Sequence, residues 1–238
     1  IRRGPARIAG RDRDVWVMRL SGDGEVRWHR TYDSDTASGV TCNEAATGLA
    51  PDGPGGLFVA AVRELPATPG YHIWVLRLDG TGAATDTMPL GQAVLPGYPN
   101  NHQATAIVAT GPDRFALCGF SNHTRNGSFG VLVVEADIKA NACLTQRVYD
   151  ISPGADFAYD LARTPHGELV VVGSCAAGKT GRDGLVLKLA PGGGVWGGGM
   201  LFNEVVVQAD VADLLDDIGV RHAALPDGLI TCDSVELC

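Results

Sequence analysis

The sequence lacks an excess of basic residues and also lacks long apolar runs. It has 19 Lys and Arg against 27 Asp and Glu in 238 residues, a formal net charge of −8. Proteins that bind the nucleic-acid backbone need a basic face, which argues against this class of partner. Apolar runs such as Leu57–Val62 are too short for a membrane-spanning helix. We therefore expect neither nucleic-acid binding nor membrane insertion.

Common catalytic and metal-binding motifs are missing as well. The sequence contains no G-x-S-x-G and no H-E-x-x-H. The absence of C-x-x-C argues against a structural zinc site or a thioredoxin-type redox site. We predict no catalytic residue, no metal ligand and no cofactor.

The sequence contains six cysteines: Cys42, Cys118, Cys143, Cys175, Cys232 and Cys238. This number is too low for a disulfide scaffold. Cys118 and Cys232 lie in apolar, strand-like runs, which is typical of buried free thiols. One or more disulfides, with a location outside the cytoplasm, fit the pattern equally well. The chain begins at Ile1 without a signal segment, so we expect either a removed leader or a piece of a longer chain.

An internal repeat organises the sequence. Asp14–Leu20 is echoed at Tyr71–Leu78, more weakly at Phe129–Val134, and again at Asp183–Leu189. The equivalent positions lie 58, 56 and 55 residues apart at Leu20, Leu78, Val134 and Leu189. A second series of turn prolines, spaced by 61, 53 and 61 residues, falls at Pro51, Pro112, Pro165 and Pro226. Two independent series with one period are a strong sign of a repeat protein.

Each repeat is typical of four β-strands. The first has strand-like runs at Ala45–Ala50, Leu57–Val62 and Ile73–Leu78, with a weaker one reaching about Leu90. Asp-Gly and Gly-rich turns between the runs supply the positive φ that tight hairpins need. Four strands in about 55–60 residues indicate a blade of a β-propeller.

The predicted fold class is therefore all-β, a β-propeller of about four four-stranded blades or a segment of a larger propeller. We expect one domain over residues 1–238, with repeats at residues 1–33 plus 212–238, 34–91, 92–150 and 151–211. Pairing of a C-terminal strand, Leu229–Ser234, with the N-terminal strands would close the ring and bury Trp16 and Leu20. Asp210–Val220 has a helix-like apolar period and is expected to form a short helical insertion or an irregular loop.

Trp28 and Trp196 occupy one position of the repeat. A recurring aromatic residue at one place in each blade favours a packing wedge between blades. A stacking platform for a sugar or a quinone is the alternative.

The repeat resembles that of bacterial exported β-propeller repeat proteins. Their unit reads roughly D-x-W-x-x-(K/R)-L-x-x-x-G-x-x-x-W, followed by an aromatic residue and a D-G-G turn, and residues 14–62 and 158–202 match it well. The resemblance implies an exported or cell-surface propeller, often part of a larger protein and usually without known catalysis. The repeat is more distantly similar to quinone-enzyme propellers, which carry a metal site and cofactor-stacking residues.

One segment matches a nucleotide-binding motif. Gly173-Ser-Cys-Ala-Ala-Gly178-Lys179-Thr180 fits G-x-x-x-x-G-K-[ST] and follows the apolar run Leu169–Val172. In a P-loop a helix must begin at the Lys-Thr pair so that its N-terminus faces the phosphates. Here Gly181 to Gly184 and another strand-like run follow. A Gly-rich hairpin loop is the favoured interpretation.

These features predict a non-enzymatic binding or scaffold module that uses loops on one face of the propeller. The alternatives are a carbohydrate-binding propeller with pockets between blades, and a hydrolase or quinone-dependent enzyme. We expect a protein or glycan partner, an extracytoplasmic location, and an oligomer or a longer parent chain.

Overall fold

The computed structural model describes residues 13–34, 42–64, 70–90, 101–122, 124, 127–176, 182–190 and 233–236. Within these residues the regular secondary structure is entirely β. The strands are β1 Val15–Leu20, β2 Val26–Tyr32, β3 Asn43–Asp52, β4 Gly56–Glu64, β5 Tyr71–Leu78, β6 Ala84–Leu90, β7 His102–Gly111, β8 Arg114–Ser121, β9 Gly130–Asp137, β10 Ala142–Asp150, β11 Phe157–Arg163, β12 Leu169–Cys175, β13 Asp183–Leu189 and β14 Asp233–Glu236. The prediction of an all-β chain is confirmed.

The strands form four antiparallel sheets. Sheet 1 is β1-β2, sheet 2 is β3-β4-β5-β6, sheet 3 is β7-β8-β9-β10 with β14 added beside β10, and sheet 4 is β11-β12-β13. Neighbours in sequence are neighbours in each sheet, apart from β14. Short hairpin turns make this order the simplest one.

Three apolar cores hold consecutive sheets together. Successive side chains of a strand point to opposite faces of the sheet, so neighbouring residues of one strand pack in different cores. In β5, Trp74 and Leu76 pack with sheet 1, whereas Ile73 and Val75 pack with sheet 3. The third core lies between sheets 3 and 4. The central strands of sheets 2 and 3 are thus buried on both faces, which explains their nearly continuous apolar sequences.

The turn between β5 and β6 shows how side chains fix a hairpin locally. The Asp79 carboxylate accepts hydrogen bonds from the backbone N–H of Thr81 at 2.8 Å and of Ala83 at 3.0 Å. Gly82 has φ +75°, a backbone conformation that glycine adopts without strain. The Asp79-Gly-Thr-Gly82 sequence is therefore one of the Asp-Gly turns expected between the strand-like runs.

A β-bulge recurs at one position of the first strand in sheets 2, 3 and 4. The extra residues are Thr47, Thr105 and Tyr159, each about one repeat from the next. A bulge bends its strand and increases the local twist. The three sheets thus share a deviation from ideal geometry as well as a strand order.

The ends of the chain differ from the prediction. Residues 229–232 of the C-terminal strand predicted at Leu229–Ser234 lie outside the described residues. Its last two residues belong to β14, which pairs with β10 of sheet 3 and not with the N-terminal strands. An edge strand offers unpaired backbone groups, and β10 supplies such an edge. Trp16 and Leu20, expected to be buried by ring closure, are 54% and 47% exposed. The expected closure of the ring is therefore not confirmed, and the described end of the C-terminal strand pairs elsewhere.

Trp28 is the packing wedge that its repeat position predicts. Its indole N–H donates to the carbonyl oxygen of Gly80 at 3.1 Å, across the gap from sheet 1 to sheet 2. The predicted insertion Asp210–Val220, as well as Trp196, lies outside the described residues. No helix of the described segments is long and apolar enough to cross a bilayer.

Candidate functional site

Three phenylalanines meet where the ends of sheets 3 and 4 come together. Phe120 is the second-last residue of β8, Phe129 precedes β9, and Phe157 begins β11. The ring centroids of Phe120 and Phe157 are 4.8 Å apart in an edge-to-face arrangement, and Phe129 lies 5.4 Å from Phe120 and 5.6 Å from Phe157. All three rings are half-buried, so the cluster is open to solvent on one side.

Arg182 covers this aromatic cluster. Its guanidinium carbon lies 4.6 Å from the centroid of the Phe157 ring, within cation–π distance. Nε donates to the Ser174 hydroxyl at 3.0 Å, and Nη2 donates to the carbonyl oxygens of Ala155 at 3.0 Å and Ser174 at 3.2 Å. The position of the cation is therefore fixed although its side chain is exposed.

A buried carboxylate organises the turn that carries the Ala155 carbonyl. Asp156 is 0% exposed and accepts hydrogen bonds from the backbone N–H of Ile151 at 2.7 Å and of Ser152 at 2.9 Å. The Ser152 hydroxyl donates to Asp156 and in turn accepts the N–H of Ala176 at 3.1 Å. This network connects the β10–β11 turn to the end of β12, on both sides of Arg182.

The arrangement suits an anionic ligand. Among the described residues no carboxylate forms an ion pair with Arg182. The hydroxyl groups of Tyr159 and Ser174 lie 2.8 Å apart next to the guanidinium. An arginine that is held in place beside hydroxyl groups, with no ion-pair partner among the described residues, is suited to binding a carboxylate or a phosphate. We refer to Arg182, Ser174, Tyr159 and the three phenylalanines as the Arg182 site.

The first glycine of the nucleotide-binding look-alike has a role in the sheet. Gly173 lies inside β12, which extends to Cys175, so the segment does not leave the strand at the glycine. A Cβ atom at Gly173 would lie 2.0 Å from the carbonyl oxygen of Phe157 on the neighbouring strand. The close approach of two strands therefore requires this glycine. Gly178, Lys179 and Thr180 lie outside the described residues.

Three carboxylates gather where β1, β2 and β3 adjoin. Ligand oxygens of Asp14, Asp33 and Glu44 all lie within 4.8 Å of one another. Glu44 is 2% exposed and accepts a hydrogen bond from the backbone N–H of Ser34 at 3.2 Å. This cluster was not predicted from the sequence, because Asp14 precedes β1, Asp33 follows β2 and Glu44 lies in β3, and only the folded chain brings them together. Two of the three, Asp14 and Asp33, are exposed, and exposed acidic groups are common without a bound cation.

The described cysteines are of two kinds. Cys42, Cys118 and Cys175 are buried thiols outside any disulfide, and Cys143 is disulfide-bonded. Burial raises the pKa of Cys118 to about 11, which keeps it a neutral thiol at physiological pH. The prediction for Cys118 is confirmed, and a disulfide is present as well. Cys232 and Cys238 lie outside the described residues.

Comparison with known proteins relates part of the chain to enzymes. Residues 159–238 match the Thi4 family. The thiamine thiazole synthase of Thermococcus kodakarensis is 50% identical over 50 residues, and that of Methanothermobacter thermautotrophicus is 49% identical over 49 residues. Each match covers 21% of this chain. It covers 20% of the first synthase and 19% of the second, so the chain spans about a fifth of the length of these relatives.

One solved structure, a protein of unknown function from Bacteroides caccae, is similar over 76% of this chain and 91% of its own length. The identity is 10% and the TM-score is 0.24.

These comparisons correct the functional prediction. A non-enzymatic binding or scaffold module, with a carbohydrate-binding propeller or a hydrolase or quinone-dependent enzyme as alternatives, is wrong, because the named relatives are thiamine thiazole synthases. The matched segment begins at residue 159, inside β11, and includes Tyr159, Ser174 and Arg182. The expected extracytoplasmic location stays a prediction.

Proposed function

We propose that this chain takes part in forming the thiazole of thiamine, and that residues 159–238 carry this role. The observation that supports the proposal is the 50% identity over 50 residues to a thiamine thiazole synthase, together with the Thi4 match of this segment. Fifty residues are at the lower limit of domain size. We therefore assign to the chain a part of a thiazole-forming site rather than a complete synthase.

The Arg182 site is where this part of the chain would hold a ligand. A thiazole that carries an acidic group offers a negative charge and a flat heteroaromatic ring. The guanidinium of Arg182 and the hydroxyl of Ser174 suit the charge. The ring of Tyr159, 55% exposed beside them, offers a face for stacking. Each group already has its position fixed by hydrogen bonds, so little ordering would accompany binding.

A binding measurement tests this assignment. The full chain is titrated calorimetrically with hydroxyethylthiazole phosphate and, separately, with the uncharged hydroxyethylthiazole. We expect the phosphate ester to bind at least tenfold more tightly, and Arg182→Gln to remove that difference. The matched control is Arg163→Gln, which removes an exposed arginine from β11 of the same sheet. Equal affinity for both compounds, or equal loss in both variants, would contradict the role of Arg182.

A genetic measurement tests the wider role. A bacterium without its own thiazole synthase receives this chain together with a Thermococcus kodakarensis synthase from which the matched 50 residues are deleted. We expect growth without thiamine only when both are present, and weaker growth with Arg182→Gln. No growth under any combination would overturn the proposed function.

A further inference from the structure

The two ends of the row of sheets expose apolar faces. At the sheet 1 end, Trp16, Met18 and Leu20 point away from sheet 2 and are 54%, 40% and 47% exposed. At the sheet 4 end, Val172 and Val186 are paired neighbours on β12 and β13, and Val172 is 41% exposed. We call these the N-face and the C-face. Neither face covers the other within one copy, because both are open to solvent.

The repeat shows what each face is built to contact. Four valines occupy one repeat position, three residues before the equivalent positions defined above: Val17, Val75, Val131 and Val186. The first three are buried against the following sheet, with exposures of 3%, 0% and 0%. Val186 belongs to sheet 4, which has no following sheet among the described residues, and it is half-buried.

The residue that follows each of these valines points to the other face of its sheet and so faces in the opposite direction. These residues are Met18, Leu76, Leu132 and Leu187. The three leucines are buried against the preceding sheet, at 2%, 1% and 2%. Met18 lies in the first sheet and is exposed.

These two positions meet at every interface inside the chain. Val17 and Leu76 share the core between sheets 1 and 2, and Val75 and Leu132 share the next core. In the third core Val131 packs in the same cluster as Leu187. Within the described part of the chain, Val186 on the C-face and Met18 on the N-face are therefore the two halves without a counterpart of an interface that the four sheets form three times.

We propose that two copies of this chain associate head to tail, with the C-face of one copy packed on the N-face of the other. The contact continues the internal interface, in which a valine face receives a face of long apolar side chains. Two copies with four sheets each would close a ring of eight sheets if both pairs of faces meet. Propellers usually contain about four to eight blades. A closed ring covers every apolar end, which a single contact does not.

Sedimentation velocity of the full chain, over a hundredfold range of concentration, tests the proposal. The wild type is expected at twice its 24.8 kDa monomer mass. Met18→Glu and Val186→Glu are each expected to weaken association at least tenfold. Each substitution places a charge on one of the two faces, the N-face or the C-face, that meet in both contacts of the ring. Leu144→Glu is the matched control, since Leu144 is 45% exposed on β10 and lies on neither face.

A mixture of the two variants separates head-to-tail contact from symmetric contact. Met18→Glu copies keep the C-face and Val186→Glu copies keep the N-face, so the mixture is expected to form dimers that neither variant forms alone. A monomeric wild type, an assembly larger than a dimer, or dimers unaffected by either variant would overturn the proposal. So would an equal loss in Leu144→Glu. Far-UV circular dichroism and thermal melting of each variant identify any loss that comes from unfolding, and Val172→Glu then replaces Val186→Glu.

Discussion

Trp28 on sheet 1 donates its indole N–H to the carbonyl oxygen of Gly80 on sheet 2, over 3.1 Å. Arg19 donates to the same oxygen at 2.9 Å, and the Tyr32 hydroxyl donates to the carbonyl oxygen of Gly82 at 2.7 Å. Three side chains of a two-stranded sheet thus hold one turn of its neighbour. Isolated two-stranded hairpins are marginal in water, so these contacts and the apolar core keep sheet 1 in place.

Gly82→Ala should destabilise the protein by about 1–3 kcal/mol. Gly82 has φ +75°, and an added Cβ would lie 2.9 Å from the Trp28 ring. Gly24→Ala is the control, because Gly24 has φ +88° and open space around it, so that only the backbone strain applies. Urea unfolding of both variants gives the comparison. Equal losses of unfolding free energy would show that the ring does not constrain the turn.

Arg77→Gln should destabilise the contact between sheets 2 and 3 by about 2 kcal/mol. Arg77 Nε donates to Asp52 at 2.5 Å, and Nη1 pairs with Asp113 in the β7–β8 turn of sheet 3. Without the arginine, neighbouring carboxylates face each other unpaired.

The control is Arg114→Gln, which removes the more exposed 3.4 Å pair of Arg114 with Asp137. Such a surface pair contributes roughly 0–1 kcal/mol. Thermal and urea unfolding should show a larger loss of unfolding free energy for Arg77→Gln than for Arg114→Gln, at low salt and at high salt. A loss no greater than that of the control would contradict the role given to Arg77.

Asp79 should make the stability depend on pH in the acid range. Hydrogen bonds from the Thr81 hydroxyl, and then from the backbone N–H of Ala83 and Thr81, hold the pKa of Asp79 below its ordinary value of 3.8. A carboxylate with a lowered folded-state pKa stabilises the fold above its unfolded-state pKa, and this contribution is lost as the pH falls through the folded-state value.

Asp79→Asn should therefore have a flatter stability profile than the wild type from about pH 4 downward. Urea unfolding at a series of pH values measures the two profiles. Parallel profiles would show that the charge of Asp79 does not contribute to the turn.

Cys118 should resist alkylation in the native protein at pH 8. Cys118 is 0% exposed, so the reagent cannot reach its sulfur, and burial raises its pKa to about 11, so little thiolate is present at pH 8. Iodoacetamide labelling followed by mass spectrometry of the Cys118 peptide, before and after unfolding in guanidinium chloride, measures the difference. Rapid labelling of the native thiol would mean that the core between sheets 3 and 4 opens readily.

The strands were predictable because their signals are local. Alternating or continuous apolar runs between Gly-rich turns indicated Leu57–Val62 and Ile73–Leu78, and β4 and β5 contain them. The Arg182 site was not predictable in the same way. Phe120, Phe157 and Arg182 lie far apart in sequence, and only the packing of sheet 4 on sheet 3 brings them together. Spacing along one chain does not encode such a contact.

The function was missed for a related reason. One repeat series extends to Leu189 and the other to Pro226, so the whole chain was predicted to form propeller blades. The Thi4 match begins at residue 159, where the strand pattern of β11 to β13 gives no sign of a different relationship. The apolar periodicity of a strand indicates which of its faces is buried, but it does not indicate which reaction the segment takes part in.

The bulges at Thr47, Thr105 and Tyr159 bear on how the chain arose. Each inserts one extra residue opposite the same place in the second strand, and Gly119 and Gly173 stand opposite two of them. An inserted residue leaves the later residues of a strand on their original faces only where the backbone bends into a bulge, so the surrounding unit must accommodate that bend. If the extra residue had been inserted three times, at one repeat position each time, three units would have had to accommodate a bulge separately. If one ancestral unit already carried the bulge and was then duplicated, the accommodation was required only once.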